Sequence, residues 1–309
     1  MSKVGVITNP TSGSGRGRAW GTEALSLLAA RGHQIVDLNR GSWAGSYESA
    51  MKIRRSLVAL VVVGGDGMVH LGIQVCAERK LPLGIIAAGS VNDAAIALQL
   101  PIHDIPASVA RIEEGLAGEV ATIDLGKVSG RRVELPAAPR YFIAVLSAGI
   151  DAAVASYARQ LTFPRGPLKY KVATLREVPR YKPYGVEVTA DGQKWVQQCT
   201  LVAVANSPVF GGGLIVSPES RVSDGVLELI ITEPLGKLEI ARLFPKLYDG
   251  SILEEPKVRV IRAKKITIAQ SPGGAQLPPA FGDGELVGGG PLTIEVAHNA
   301  LHVLGARPR

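Results

Sequence analysis

Cysteine is scarce in this chain. Two thiols, Cys76 and Cys199, serve 309 residues, far apart and without metal-ligand spacing. Both sit among apolar residues and read as buried thiols of a reducing compartment. Aromatic residues make up only 5% of the chain. No aromatic RNA-reading pattern, zinc-ligand spacing or basic DNA-reading helix is present, so nucleic acid ranks last among partners. The five histidines, His33, His70, His103, His298 and His302, show no metal spacing; His70, on a helix, reads as a packing residue. No apolar run reaches the roughly 18–20 residues needed to span a bilayer. Met1-Ser2-Lys3 runs directly into an apparent strand, leaving no room for a signal peptide. A cytoplasmic protein is expected.

Apolar residues are plentiful, at 46%, and the mean hydropathy is +0.20. That composition supports a sizeable core and argues against disorder. The length suits one large or two medium domains. Lys and Arg exceed Asp and Glu by 34 − 27 = +7, with a pI near 9.5. Such an excess suits a polyphosphate ligand or an anionic membrane face.

The stretch Leu57 to His70 organises the chain. An apolar, β-branched run breaks at Val63 into Gly64-Gly65-Asp66-Gly67, and helix-compatible residues resume through Gln74. This is the pattern of a buried parallel strand, a tight turn and a helix. Glycines there let a ligand approach the backbone, and the helix start offers N–H groups to an anion. Asp66 fits such a place if a cation or a transferable proton shares it. The plainer alternative is a helix N-cap.

Strand, loop and helix alternate over the first hundred-odd residues. Strands are predicted at Val4–Thr8, Gln34–Leu38, Leu57–Val63 and Leu83–Ala87, and helices at Trp20–Ala30, Tyr47–Arg55, Ala94–Gln99 and Val109–Leu116. That order argues for a parallel α/β sheet whose ligands bind beyond the C-terminal strand ends. The texture then changes. Runs at Tyr141–Val145, Gly185–Thr189, Thr200–Ala205, Val226–Thr232 and Val258–Ile268 are separated by Gly, Pro and Asp turns. They suggest an antiparallel β-sandwich. The domain boundary is placed near residue 127, with Pro136-Ala137-Ala138-Pro139 an early loop of the second domain.

Seven motifs follow one another along nearly the whole chain: Asn9-Pro10 with its Ser/Gly loop, Gly64-Gly65-Asp66-Gly67, Gly89-Ser90-Val91-Asn92-Asp93, Ile123-Asp124-Leu125-Gly126, Ser147-Ala148-Gly149-Ile150-Asp151, Gly211-Gly212-Gly213 with Pro218 and Asp224-Gly225, and Asp283-Gly284-Glu285. In this order they resemble the diacylglycerol kinase catalytic-domain family, which includes bacterial lipid kinases, sphingosine kinases and ceramide kinases. The segment from Phe163 to Pro183 looks most like the actinobacterial diacylglycerol kinases. The resemblance implies two domains. Residues 1–126 form a nucleotide-binding α/β domain, to which 298–309 return, and residues 127–297 form a β-rich lipid-substrate domain. It implies ATP and Mg2+ as cofactors, diacylglycerol as acceptor and phosphatidic acid as product, with a homodimer as a family expectation. The alternatives are a sphingoid-base or ceramide-type kinase, or a nucleotide- or lipid-binding module without catalysis. An NAD kinase is disfavoured by Asn92-Asp93 and by Asp283-Gly284-Glu285. Three features depart from the family pattern. Ala87-Ala88 stands where a proline is common before the second loop. Met68 and Ser90 stand where threonines are usual, and these two departures also occur in ceramide and sphingosine kinases. Met68 has no side-chain group for phosphate, which leaves its backbone N–H.

Phosphoryl transfer needs a cradle, a cation and a base. The cradle falls to Gly64, Gly65, Asp66, Gly67 and Met68 with Ser90 and Asn92, while Asn9, Ser12 and Asn39 close on the nucleotide. Asp66 would hold magnesium or orient the γ-phosphate, with Asp93 and Asp124 completing a carboxylate–water network. Helix capping is the plainer role for Asn9, Ser12, Ser90 and Asp93. Glu285 is the candidate general base, against a simple Asp-Gly hairpin turn. The resemblance also implies a structural cation at Asp224 with the carbonyls of Arg221 and Val226, against a β-turn. Residues 159–182 concentrate seven cations, Arg159, Arg165, Lys169, Lys171, Arg176, Arg180 and Lys182, around one acid, Glu177. Phe163, Tyr170, Tyr181 and Tyr184 are interleaved. Peripheral docking on the inner, anionic membrane face is expected; the alternative is a solvated helix face.

Overall fold

The computed structural model describes residues 2–130, 140–164, 166 and 168–308. Pro136–Pro139 and Arg165 lie outside the described residues. The chain divides into two compact units, one of Met1–Leu125, Arg221–Asp224 and Ala297–Arg309, the other of Gly126–Ser220 and Gly225–Val296.

The first unit opens with β1 (Lys3–Thr8), α1 (Gly17–Ala30), β2 (Gln34–Asp37), α2 (Trp43–Ile53), β3 (Ala59–Gly64), α3 (Asp66–Cys76), β4 (Leu83–Ala87), α4 (Asp93–Ala97), α5 (Ile105–Leu116) and the start of β5 (Val120–Gly130). The parallel strand order is β2-β1-β3-β4. Every residue of β3 is buried, as a continuous β-branched run covered on both faces should be. On one face Val61 and Val63 pack with Ala24 and Leu28 of α1 and Val109 and Ile112 of α5. On the other lies α3, buried from Val69 to Cys76. A Cβ on Gly72 would stand 2.6 Å from the Leu83 side chain, so glycine sets how closely α3 approaches the sheet.

Helices α1, α2 and α5 begin three or four residues earlier than their apolar spacing predicts, and capping explains the last two. The Ser42 hydroxyl accepts the Gly45 N–H at 3.1 Å, starting α2 at Trp43. Asp104 accepts the Ala107 N–H at 2.9 Å, with a proline in the first turn of α5.

The second unit contains β6 (Arg140–Phe142), β7 (Val145–Ser147), α6 (Ile150–Gln160), α7 (Leu168–Arg180), β8 (Tyr184–Ala190), β9 (Gln193–Cys199), β10 (Val202–Ala205), β11 (Val209–Phe210), β12 (Leu214–Ile215), β13 (Leu227–Thr232), α8 (Lys237–Leu243), β14 (Val258–Ala263), β15 (Lys265–Gln270), β16 (Ala280–Gly282), β17 (Glu285–Gly288) and the start of β18 (Leu292–Leu304). One antiparallel sheet runs β14-β13-β10-β7-β16-β17, and a second layer runs β18-β15-β8-β9. Val202, Val204, Leu227 and Leu229 of the first share one core with Val186, Val188, Ile266 and Ile268 of the second. The result is a β-sandwich.

Two runs that read as single strands are each split by a carboxylate from elsewhere. Asp283 accepts the Ile143 and Ala144 N–H groups, each at 2.8 Å, between β6 and β7. Asp191 accepts those of Lys264 and Lys265 at 3.0 and 2.9 Å, between β14 and β15. The end of β18 belongs to the first unit, where Val303 pairs in parallel with Leu83 of β4. Among the described residues no helix is long and apolar enough to cross a membrane.

Candidate active site

Strand order in the first unit reverses between β1 and β3, and loops leaving a parallel sheet at such a switch point form a crevice. The loop after β1 is stitched to β3 by the Asn9 N–H, which donates to Val63 O at 2.9 Å. The Asn9 side chain accepts the Thr11 N–H and hydroxyl at 3.0 and 2.8 Å, and the Ser12 hydroxyl donates to Asn9 O at 2.9 Å. Asn39 clamps the end of β1, accepting the Thr8 N–H at 2.9 Å and donating to the Thr8 hydroxyl at 3.1 Å.

The loops after β3 and β4 meet backbone to backbone. A Cβ on Gly89 would lie 2.3 Å from the Gly65 Cα, a distance no other residue accommodates. Asp66 ties the two loops together. Its carboxylate accepts the Asn92 N–H at 2.8 Å and the Ala94 N–H at 3.3 Å. Asn92, in the left-handed region at φ 63°, closes the second loop on itself. It accepts the Gly89 N–H at 2.8 Å and donates to Gly89 O at 2.9 Å. Asn tolerates this backbone better than most residues. Asp93 is buried in the first turn of α4, and Ser90 is exposed. The Met68 N–H, the group left for phosphate at that position, donates to Gly65 O at 2.8 Å; the Met68 side chain lies against Gly64.

A stack that sequence reasoning missed braces these loops. The Arg16 guanidinium lies 4.5 Å over the Trp20 ring, and Trp20 stacks on His103 at 5.4 Å. His103 Nε2 lies 2.6 Å from Gly89 O. Nothing local in the sequence links positions 16, 20, 89 and 103.

Asp124 is fully buried on β5. Its Oδ1 accepts the Asn299 N–H at 2.7 Å and lies 2.8 Å from His298 Nδ1. Its own N–H donates to Val222 O at 2.6 Å, which holds the turn containing Arg221 and Asp224. Arg221 and Asp224 are exposed, and Val226 lies in the second unit, which resumes at Gly225. Among the described residues no three His, Cys, Asp or Glu side chains converge as a metal cage. Magnesium does not need one, because it keeps several waters and takes one or two carboxylates plus phosphate oxygens. Asp66 fits that donor set. It stands in the first turn of α3 and accepts backbone N–H groups of the second glycine loop.

In the second unit Asp283 (φ 51°) and Gly284 (φ 78°) form the hairpin turn between β16 and β17. That turn presents Glu285. Arg159 of α6 approaches it at 3.5 Å. Tyr170 of α7 is close enough that burial, and then the Glu285 charge, raise its phenol above the usual value. Of the aromatics in this segment, Tyr181 and Tyr184 are core residues, stacked edge to face at 5.6 Å, whereas Phe163 is 82% exposed and Tyr170 is half-covered, at 44%. Asp151 is pushed above the usual carboxyl range by burial, against a 2.5 Å hydrogen bond from Ser147.

Residues 3–128 match the diacylglycerol kinase catalytic domain, and residues 144–305 match the YegS C-terminal NAD kinase beta sandwich-like domain. A diacylglycerol kinase of Mycobacterium tuberculosis is 31% identical over 311 aligned residues, spanning 100% of this chain and 96% of that protein. A solved structure from Bacillus anthracis has a TM-score of 0.75 at 22% identity, covering 98% of this chain and 96% of that one. Yeast NADH kinase, solved with NADH, shares the fold at a TM-score of 0.53 and 11% identity, covering 98% of this chain and 83% of that one. On its full-length match to the mycobacterial enzyme, the chain belongs to the diacylglycerol kinase family of lipid kinases.

Proposed function

We propose that this chain transfers the γ-phosphoryl group of ATP to the hydroxyl of diacylglycerol, giving phosphatidic acid. The observation that carries it is the pair of glycine loops in backbone contact, tied by Asp66, in a chain that aligns end to end with a diacylglycerol kinase. In this proposal the glycine loops cradle the triphosphate, aided by Asn9, Ser12, Ser90 and Asn92. Asn39 contributes by holding the end of β1. Magnesium, when bound, neutralises charge on the transferring phosphoryl group. Asp66 would hold it, with Asp93 and Asp124 as the further carboxylates of the network. Glu285 takes the proton of the attacking hydroxyl. The turn at Arg221, Asp224 and Val226 is assigned a structural cation. Cations of residues 159–182 draw the protein to the anionic inner face of the membrane, and a homodimer is part of the same expectation.

Labelled ATP and magnesium, offered with diacylglycerol, ceramide, a sphingoid base and NAD, test the acceptor. Label in phosphatidic acid is expected. Label in ceramide phosphate or a sphingoid phosphate would move the assignment to the alternative that Met68 and Ser90 suggest. Label in NADP would follow the fold likeness instead, and no label at all would leave a binding module.

A further inference from the structure

Helix α7 wears its apolar residues on the outside. Leu168, Val172 and Leu175 follow the i, i+4, i+7 spacing of a single face, yet they are 54%, 37% and 78% exposed. Ala173 is the buried residue of this helix. Phe163, just before it, is 82% exposed. On the helix surface Lys171 falls to one side of the stripe and Lys169 and Arg176 to the other. Leu238 of α8, a helix in contact with α7, is 87% exposed.

We infer that the outer face of α7, with Phe163, inserts into the headgroup–acyl boundary of an anionic bilayer and lies in its plane. This rests on the lipid-kinase proposal above and goes beyond electrostatic attraction to it. The helix has 13 residues, about 20 Å of length, too short to span and suited to lying flat. Charge decides between occupants. The stripe is bordered by cations, and the one acid of the segment, Glu177, stands 3.6 Å from Arg176. A second copy packed stripe to stripe would set cation against cation, whereas anionic headgroups complement both borders while lysine stems snorkel to them. The same helix packs on α6, whose Arg159 lies 3.5 Å from Glu285. Insertion therefore brings lipid to the helix pair that adjoins the candidate base.

A dye-labelled cysteine tests depth directly, because Cys76 and Cys199 are buried and leave an introduced thiol as the reactive one. Leu175→Cys carrying an environment-sensitive fluorophore is titrated with phosphatidylcholine vesicles with and without phosphatidylglycerol. A blue shift on the anionic vesicles is expected, quenched by brominated acyl chains. The same label at exposed Gln193 on β9 should show neither. Leu168→Ser with Leu175→Ser should weaken vesicle binding by at least about tenfold. Vesicle binding without a shift at position 175 would overturn insertion. So would a double variant that changes oligomeric state in solution and leaves vesicle binding unchanged. Turnover of a dispersed short-chain diacylglycerol by the wild-type chain reports separately on the kinase proposal; its failure would leave the vesicle result standing.

Discussion

Asp66 does two jobs that a single substitution confounds. It accepts two backbone N–H groups from the second glycine loop, and in the proposed reaction it supplies negative charge to magnesium. Removing the side chain leaves two donors without their acceptor, at a cost of about 1–3 kcal/mol each where they are buried. Asp66→Ala should therefore lower both urea stability and turnover. Asp66→Asn keeps one carbonyl acceptor, sets an NH2 against the other N–H and loses the charge, so it should cost less stability than Asp66→Ala while turnover falls about a hundredfold or more. Equal loss of turnover and stability in both variants would assign Asp66 to the loop alone. Glu285→Gln makes the complementary case. It should reduce turnover by about 100- to 10,000-fold, the range for a general base, with ATP affinity unchanged by calorimetry. Near-normal turnover would remove Glu285 from that role. Both acids were legible in the sequence as glycine-flanked carboxylates. Their partners were not, because Asn92, Arg159 and Tyr170 reach them across 26, 126 and 115 positions of chain, and local patterns carry no information at that range.

The two glycine loops act together as one device. Contact between Gly65 and Gly89 lets β3 and β4 end side by side with their following helices close together. Gly89→Ala would place a methyl carbon 2.3 Å from the Gly65 Cα, an overlap relieved only by backbone movement. Over-packing of this kind costs about 1–3 kcal/mol or more, and it displaces the loops proposed to hold the nucleotide. The expected outcome is a lower melting temperature with a larger loss in ATP affinity. An unchanged ATP affinity would separate these loops from the nucleotide site. Parallel strands were readable from apolar runs, and most helix bodies from their spacing. Boundaries were missed where side chains acted over distance, as Asp283 does between β6 and β7 and Asp191 between β14 and β15. The outward stripe on α7 was invisible for a different reason. Its spacing is that of an ordinary amphipathic helix, and nothing in such a pattern says which side faces the core.

For the whole molecule, the two thiols are built-in reporters, one in each unit. Burial pushes the Cys199 thiol up from 9.0 to about 12, and burial raises Cys76 as well, against the opposing influence of Arg79. The reactive thiolate is thus suppressed in the native protein. Neither thiol should react with an alkylating reagent at neutral pH until its own unit opens. Mass-resolved labelling across a urea series should therefore time the two units separately. Rapid native labelling of either thiol would contradict the burial. The linkage has a definite sign. Above pH 9.0 the unfolded chain releases thiol protons that the folded chain keeps, so stability falls as pH rises toward about 12 for Cys199. The slope is about 1.4 kcal/mol per pH unit for each thiol, and replacing Cys199 with Ala should flatten it.

The strand that closes β18 carries a temporal consequence. Val303 pairs with Leu83, the Glu78 N–H donates to Ala300 O at 2.7 Å, and Leu304 joins the core beneath α5. During synthesis β4 therefore waits for its neighbour until more than two hundred further residues have left the ribosome. For all of that time an apolar strand has an open edge, the kind of edge that templates aggregation. Chaperone demand should accordingly peak late in translation, when the first hundred residues are long finished and still incomplete.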